Sequence, residues 1–180
     1  ASPHFMETYT VIGTNINGCK ATSMIDVIVN PLPILNVSED ISLCLGNSTI
    51  LSVSGASNYE WSPSIELNTS TGYVVIASPE TEGINSYTIT GTDSIGCKKN
   101  TTVELIVNSL PTLSISETAT ICTGDTITIQ ASGAIEYYWS PEAGLSSRTN
   151  NIVSANPSFT ETYTVIGTNI NGCNATSMID

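Results

Sequence analysis

An all-β chain of tandem sandwich modules, set out as an extended rod, follows from three observations. One block of sequence occurs twice, the cysteines recur at a fixed period, and short alternating segments fill the intervals between turn signals. Residues 1–26 (ASPHFMETYTVIGTNINGCKATSMID) and 155–180 (ANPSFTETYTVIGTNINGCNATSMID) agree at 22 of 26 positions, at an offset of 154. A weaker copy, SYTITGTDSIGCKKNTTVE, spans 86–104, and seven of 26 positions in the window 79–104 match the first copy. Self-similarity at a fixed period marks a repeat architecture. Alternate copies resemble each other more than neighbours do, which points to duplication of a two-module unit.

Cysteine spacing draws the boundaries. Cys19, Cys97 and Cys173 are 78 and 76 residues apart, and Cys44 and Cys122 are 78 apart. One complete module therefore runs over 31–108. Residues 1–30 read as the C-terminal part of a preceding module. Residues 109–180 read as a module lacking its last strand, because Asp26 is followed by Val27-Ile28-Val29-Asn30 while Asp180 ends the sequence. The joints, VIVN-PLP (27–33) and LIVN-SLP (105–111), contain no Gly/Ser-rich linker. Proline restricts the backbone there and makes such joints semi-rigid.

Each element follows from local pattern. In the middle module the expected strands are 34–37 (ILNV), 48–55 (STILSVSG, opened by the turn Gly46-Asn47) and 58–62 (NYEWS, ended by Pro63). They continue with 73–78 (YVVIAS, ended by Pro79), 86–93 (SYTITGTD) and 101–108 (TTVELIVN). Tyr87 and Ile89 alternate with Thr88 and Thr90, and Val103, Leu105 and Val107 share one face. Period-two alternation, β-branched enrichment and regular turns are the marks of a sandwich. The third module repeats the plan at 126–133, 137–140, 151–156 and 162–169.

Cys44 and Cys97 fall in the middle module, and Cys122 and Cys173 in the third, at matched separations of 53 and 51 residues. These spacings predict one disulfide within each module, with Cys19 bonded to an upstream partner. An oxidising compartment follows. Free thiols or a metal site are the competing reading, but no CxxC pair exists and His4 is the only histidine, so a zinc ligand set is missing. Trp61 and Trp139 each lie 17 residues after the first cysteine of their module. A Cys…Trp…Cys order with about seven short strands is the immunoglobulin-like signature, and it makes both tryptophans core residues. Each first cysteine precedes its strand and each second follows a hairpin turn, so the expected bridge ties strand ends or loops.

The string 137–173 (YYWSPEAGLSSRTNNIVSANPSFTETYTVIGTNINGC) resembles the PKD-like/Ig-like repeats of large Bacteroidota cell-surface adhesins. The matching positions are Trp139-Ser140-Pro141, Gly144-Leu145, Thr162-Tyr163-Thr164-Val165 and Asn171-Gly172-Cys173. The middle module keeps Trp61-Ser62-Pro63 and Tyr87 but has Glu66-Leu67 in place of Gly-Leu. The resemblance implies very long exported proteins of the type IX secretion system, acting as adhesins or as spacers beside secreted enzymes. It also implies O-glycosylation at Asp-Ser/Thr-apolar sites, here Ser94 and Thr126. Asn36, Asn47, Asn68, Asn100 and Asn174 begin N-x-S/T strings, which chance supplies in a chain this rich in Asn, Ser and Thr.

Composition narrows function further. The net charge is −12, and Lys20, Lys98, Lys99 and Arg148 are the only basic side chains. Phosphate neutralisation needs clustered Lys and Arg, so nucleic acid is excluded as a partner and anionic membrane surfaces are disfavoured. No run approaches the ~20 apolar residues of a membrane span. The third-module counterpart of His4 is Ser158, a poor arrangement for a catalytic base. Glu39, Asp40, Glu80 and Glu82 could offer oxygens to Ca2+, but no Asp-x-Asp-x-Asp loop accompanies them, so no cofactor is expected. The expected role is a non-enzymatic stalk or interaction repeat of a secreted or surface adhesin, which can form filaments. Its partners would be neighbouring modules of the same long chain, fibres of its own kind, and surface glycans or proteins met through a tip outside this segment. The alternatives are a spacer array in an extracellular enzyme and a carbohydrate-binding module. Tyr59, Tyr73, Tyr137 and Tyr138 are the candidate sugar platforms.

Overall fold

The computed structural model describes residues 2–180. The chain is all-β, with immunoglobulin-like β-sandwiches and no helix among the described residues. β1 (Glu7–Thr14) and β2 (Lys20–Val27) pair antiparallel as a two-stranded ribbon. Its apolar residues Val11, Ile12, Met24 and Ile25 are all exposed.

The middle sandwich opposes two sheets. One is ordered β3-β5-β7, from β3 (Asn36–Val37), β5 (Thr49–Ser54) and β7 (Val74–Ala77). The other is ordered β4-β9-β8-β6, from β4 (Ile41–Cys44), β6 (Asn58–Ser62), β8 (Gly83–Thr92) and β9 (Lys98–Asn108). Alternation sends one face of each strand inward. Leu51, Val53, Val75 and Ala77 from the first sheet meet Tyr59, Trp61, Tyr87, Ile89, Val103 and Leu105 from the second. Burying a Leu or Ile side chain contributes about 1.5–3 kcal/mol, so this cluster is what holds the two sheets together.

The C-terminal sandwich repeats the plan. β10 (Ser114–Ile115), β11 (Ile127–Ser132) and β13 (Ile152–Ala155) form one sheet. β12 (Glu136–Ser140), β14 (Tyr163–Thr168) and β15 (Asn174–Ile179) form the other. Ile129, Ala131, Trp139, Val153, Ala155, Tyr163, Val165 and Ile179 make its core. Val165 is fully buried, whereas Val11, its counterpart in the repeated block, is 66% exposed. Identical sequence makes the same hairpin in both places, and burial then depends on whether a second sheet lies opposite.

Both tryptophans are core residues, and each indole N–H has a partner. Trp61 Nε1 donates to the Gly72 carbonyl at 2.9 Å, and Trp139 Nε1 donates to Asn150 at 2.8 Å. The Ser62-Pro63 and Ser140-Pro141 peptide bonds that follow them are cis. The Gly-Leu departure in the middle module is accommodated in place. Glu66 adopts φ 67°, and Gly144, its counterpart, adopts 75°. Each carbonyl accepts the equivalent bond at 2.8 Å, from Ser78 N and Asn156 N respectively.

β15 supplies the start of the last strand that residues 109–180 were expected to lack, and β4 lies outside every segment expected to be a strand. β4 is four residues long and pairs parallel with the last turn of ladder on β9, from Ile41 opposite Leu105 to Cys44 opposite Asn108. A run of four residues opposite a single neighbour leaves too short an alternation to read. In the C-terminal sandwich the corresponding residues 119–122 are not in a strand and instead border an open groove with Ile127, Tyr163 and Ile179.

Candidate functional site

The junction between the two sandwiches is where residues far apart in sequence converge. The exit end of the middle sandwich is built on Asn108. Its Nδ2 donates to Ser42 Oγ at 2.7 Å and to the Leu43 carbonyl at 3.3 Å, while its own carbonyl accepts from Leu45 N. These bonds clamp β4 to the end of β9 and place Cys44 at the rim. Facing it is the β14–β15 hairpin. Asn169 shapes that turn by accepting from the Asn171 and Cys173 backbone N–H groups at 3.0 Å each. The same side chain donates from Nδ2 to the Ser109 carbonyl at 2.8 Å, tying the hairpin to the interdomain joint.

Cys44 and Cys173 are bonded across this junction, with Cα atoms 5.5 Å apart and 129 residues between them. This corrects the expectation of one bridge within each module. Cys44 lies beside Asn108 at one end of β9, and Cys97 immediately precedes Lys98 at the other. Ten strand steps separate those ends by roughly 33 Å. A disulfide needs Cα atoms within about 7 Å, so Cys44 and Cys97 cannot meet. Cys122 is likewise at the Tyr163–Ile179 end of its sandwich, and Cys173 is at the hairpin end. Cys97 is half-buried, and Cys19 and Cys122 are exposed; all three are unpaired. Cys44 ends β4 and Cys173 closes the turn before β15, so the bond joins a strand end to a hairpin turn.

The matched spacings misled because a periodic array carries two equivalent readings. A cysteine fixed near each end of every module recurs at constant distance from its own module's second cysteine and from the next module's. The signal that distinguishes them is strand length: β9, at 11 residues, holds its two ends too far apart.

The two Asp-Ser/Thr motifs lie on the surface, and both aspartates serve their turns. Asp93 Oδ1 accepts from Ile95 N and Cys97 N at 2.9 Å, with Ser94 exposed at the tip of the β8–β9 hairpin. Burial alone would raise the Asp93 pKa, but the N–H groups of Cys97, Ile95 and Gly96 outweigh it and hold the carboxyl below its ordinary value. Asp125 Oδ2 accepts from Cys122 N at 3.2 Å, and exposed Thr126 accepts from Asn156 Nδ2.

The candidate tyrosine platforms divide. Tyr59 is buried and Tyr137 half-buried, and their hydroxyls donate back to Ala56 and Ala134. Tyr138 is partly exposed, but the Arg148 guanidinium sits 4.5 Å from its ring centre while also pairing with Glu142 at 3.1 Å. Tyr73 alone of the four presents an open ring, 70% exposed. Two other tyrosines, Tyr87 and Tyr163, are core residues whose pKa values are raised, by burial first and then by Glu66 and Glu161 respectively. His4 is exposed. Among the described residues no three His, Cys, Asp or Glu side chains gather into a cation site. Asp40 instead accepts from Glu104 N, and Glu80 N donates to Glu66.

No family model and no curated protein matches the chain. Among solved structures it is similar to the two immunoglobulin domains of DIP-gamma, at 14% identity over 83% of this chain and 96% of that one, with a TM-score of 0.41. It is also similar to the insect immune protein hemolin, at 15% identity over 96% of this chain and 55% of that one, with a TM-score of 0.42. The N-terminal eight immunoglobulin domains of Down syndrome cell adhesion molecule match at 14% identity, over 100% of this chain and 28% of that one, with a TM-score of 0.35. The immunoglobulin-like assignment rests on strand order, the two cores and the buried tryptophans described above.

Proposed function

We propose that the chain is a non-enzymatic stalk segment of a secreted or cell-surface adhesin, of the Bacteroidota type IX kind that its Trp-Ser-Pro and Asn-Gly-Cys repeats resemble. In this reading residues 1–30, 31–108 and 109–180 are successive immunoglobulin-like modules, the first and last of them partial. They form a stiff rod that carries a distal tip, with fibre assembly as a further property. The observation that carries the reading is the Cys44–Cys173 bond, because it joins one sandwich covalently to the next. Pulling on such a joint loads the bridge and the Asn169–Ser109 bond in addition to the connecting backbone. A stable disulfide also fits an oxidising extracellular location. O-glycans on Ser94 and Thr126 belong to the same reading, and both residues are exposed.

Immunogold microscopy of the source cells, with antibody raised against residues 31–108, tests it. Labelled fibres standing off the surface are the expected result. Label confined to culture fluid and co-purifying with hydrolase activity would instead make the array a spacer of an extracellular enzyme. The exposed ring of Tyr73 favours one second reading, glycan binding on the β5–β7 sheet edge. Wild-type binding on a glycan array that Tyr73→Ala abolishes, without a change in melting temperature, would establish it.

A further inference from the structure

We propose that Cys97 and Cys122 are half-sites of the same cross-junction disulfide that joins Cys44 to Cys173, and that each bonds an adjoining immunoglobulin-like module of this repeat class. The inference stands whether the array is a stalk or a spacer.

The unpaired cysteines occupy the positions of the bonded pair. Cys122 has the place of Cys44, and each stands beside a glycine turn in which the cysteine carbonyl accepts at 3.0 Å, from Asp125 N and Asn47 N respectively. Cys97 has the place of Cys173. Asp93 and Asn169 hold their hairpins with the same pair of bonds, to the cysteine N–H and to the residue two after the acceptor. Where two such ends face each other, at the middle junction, the bond is formed. Each sandwich thus carries an exit-side cysteine and an entry-side cysteine, separated by its own length and unable to bond to each other.

The repeat supplies a register check. Residues 1–26 duplicate 155–180, so joining Asp180 to Val27 of a second copy continues the array without a break. In that joined chain Cys122 and the second copy's Cys97 are 129 residues apart, the separation observed between Cys44 and Cys173.

The bond forms by exchange with a disulfide oxidant, for which oxidised glutathione serves in vitro. The Cys122 thiolate attacks the glutathione disulfide and expels one glutathione thiolate. The Cys97 thiolate then attacks the mixed disulfide at the Cys122 sulfur and expels the second. Two protein thiols lose two electrons, the oxidant gains them, and the two protons end on the two glutathione thiols.

The test is the full chain fused from Asp180 to residues 27–180 of a second copy, refolded with oxidised glutathione. Thiol titration and non-reducing peptide mapping follow. The fusion holds nine cysteines, and the proposal expects three bridges and three free thiols, at Cys19, the first Cys97 and the second Cys122. A peptide linking Cys122 to the second copy's Cys97 is the decisive product. In the fusion carrying Cys122→Ser in its first copy, both Cys44–Cys173 bridges should persist while free thiols rise to four. Five free thiols in the unsubstituted fusion, with both Cys44–Cys173 bridges present, would overturn the proposal. So would linkage of Cys122 to Cys173 or of Cys44 to Cys97. Neither result bears on where the cell displays the protein.

Discussion

Cys44 and Cys173 lie on different sandwiches and are bonded across the junction that the Asn169–Ser109 hydrogen bond also ties. The loop they close contains most of both cores, so the bond restrains the unfolded chain over a long stretch. In the chain-entropy model, closing 129 residues contributes about 5 kcal/mol against the state in which both sandwiches are unfolded. Replacing both residues, Cys44→Ser with Cys173→Ser, should lower the melting temperature by roughly 10 °C in calorimetry. The far-ultraviolet spectrum should stay unchanged, since no strand ladder depends on the bridge. An unchanged melting temperature would mean that the bond does not form in solution.

Trp139 carries the C-terminal core as Trp61 carries the middle one, and the two cores share no residues. Trp139→Ala removes a fully buried side chain and leaves the Asn150 carbonyl without its donor. The expected cost is about 3–5 kcal/mol. Trp61 remains as the sole indole, so its fluorescence should report a middle sandwich that unfolds at its original denaturant concentration while circular dichroism shows an earlier loss. Simultaneous unfolding by both probes would refute the independence of the cores.

Gly133 and Gly55 are matched turn residues where the chain doubles back on its first strand. Both have positive φ, 97° and 102°, and a Cβ at either would strike a backbone carbonyl, Thr112 or Ile34. Backbone oxygen cannot swing aside as a side chain can. Gly133→Ala should therefore cost more than about 2 kcal/mol in urea unfolding, combining steric and conformational terms. Gly144→Glu should cost less, because a Cβ there would lie 2.7 Å from the Asn156 carbonyl oxygen, against 1.9 Å between one at Gly133 and the Thr112 oxygen, and Glu66 already occupies the equivalent left-handed position in the middle sandwich. Equal losses would contradict the steric argument.

The β-sandwich plan was legible because it depends on local alternation. Leu51 and Val53, or Tyr163 and Val165, declare their inward face by spacing alone, and Pro63 and Pro79 mark where strands stop. Cysteine pairing was not legible, because it depends on which strand ends face one another in space. The position of Cys44 is set by β4, and β4 exists only by virtue of β9, some sixty residues later. The division of the adjacent tyrosines follows the same alternation as the rest of the sandwich. Trp139 marks the inward face, so Tyr137, two residues before it, turns inward and Tyr138 outward, as Tyr59 turns inward with Trp61.

Asp93 makes one hairpin sensitive to acid where its sister is not. The depressed pKa of Asp93 means that the folded turn favours the carboxylate, despite the opposing effect of burial. The stabilisation is therefore complete above the carboxyl's ordinary unfolded-state range and is lost as pH falls through the lower folded value. Asn169 makes the corresponding bonds in the β14–β15 hairpin and does not titrate. Amide exchange should show Cys97 N–H losing protection on acidification below that range, relative to Cys173 N–H in the same sample. Asp93→Asn should remove the difference by giving both hairpins the same neutral acceptor. If Cys97 and Cys173 respond to pH alike in the wild-type chain, the carboxylate is not what holds the β8–β9 turn.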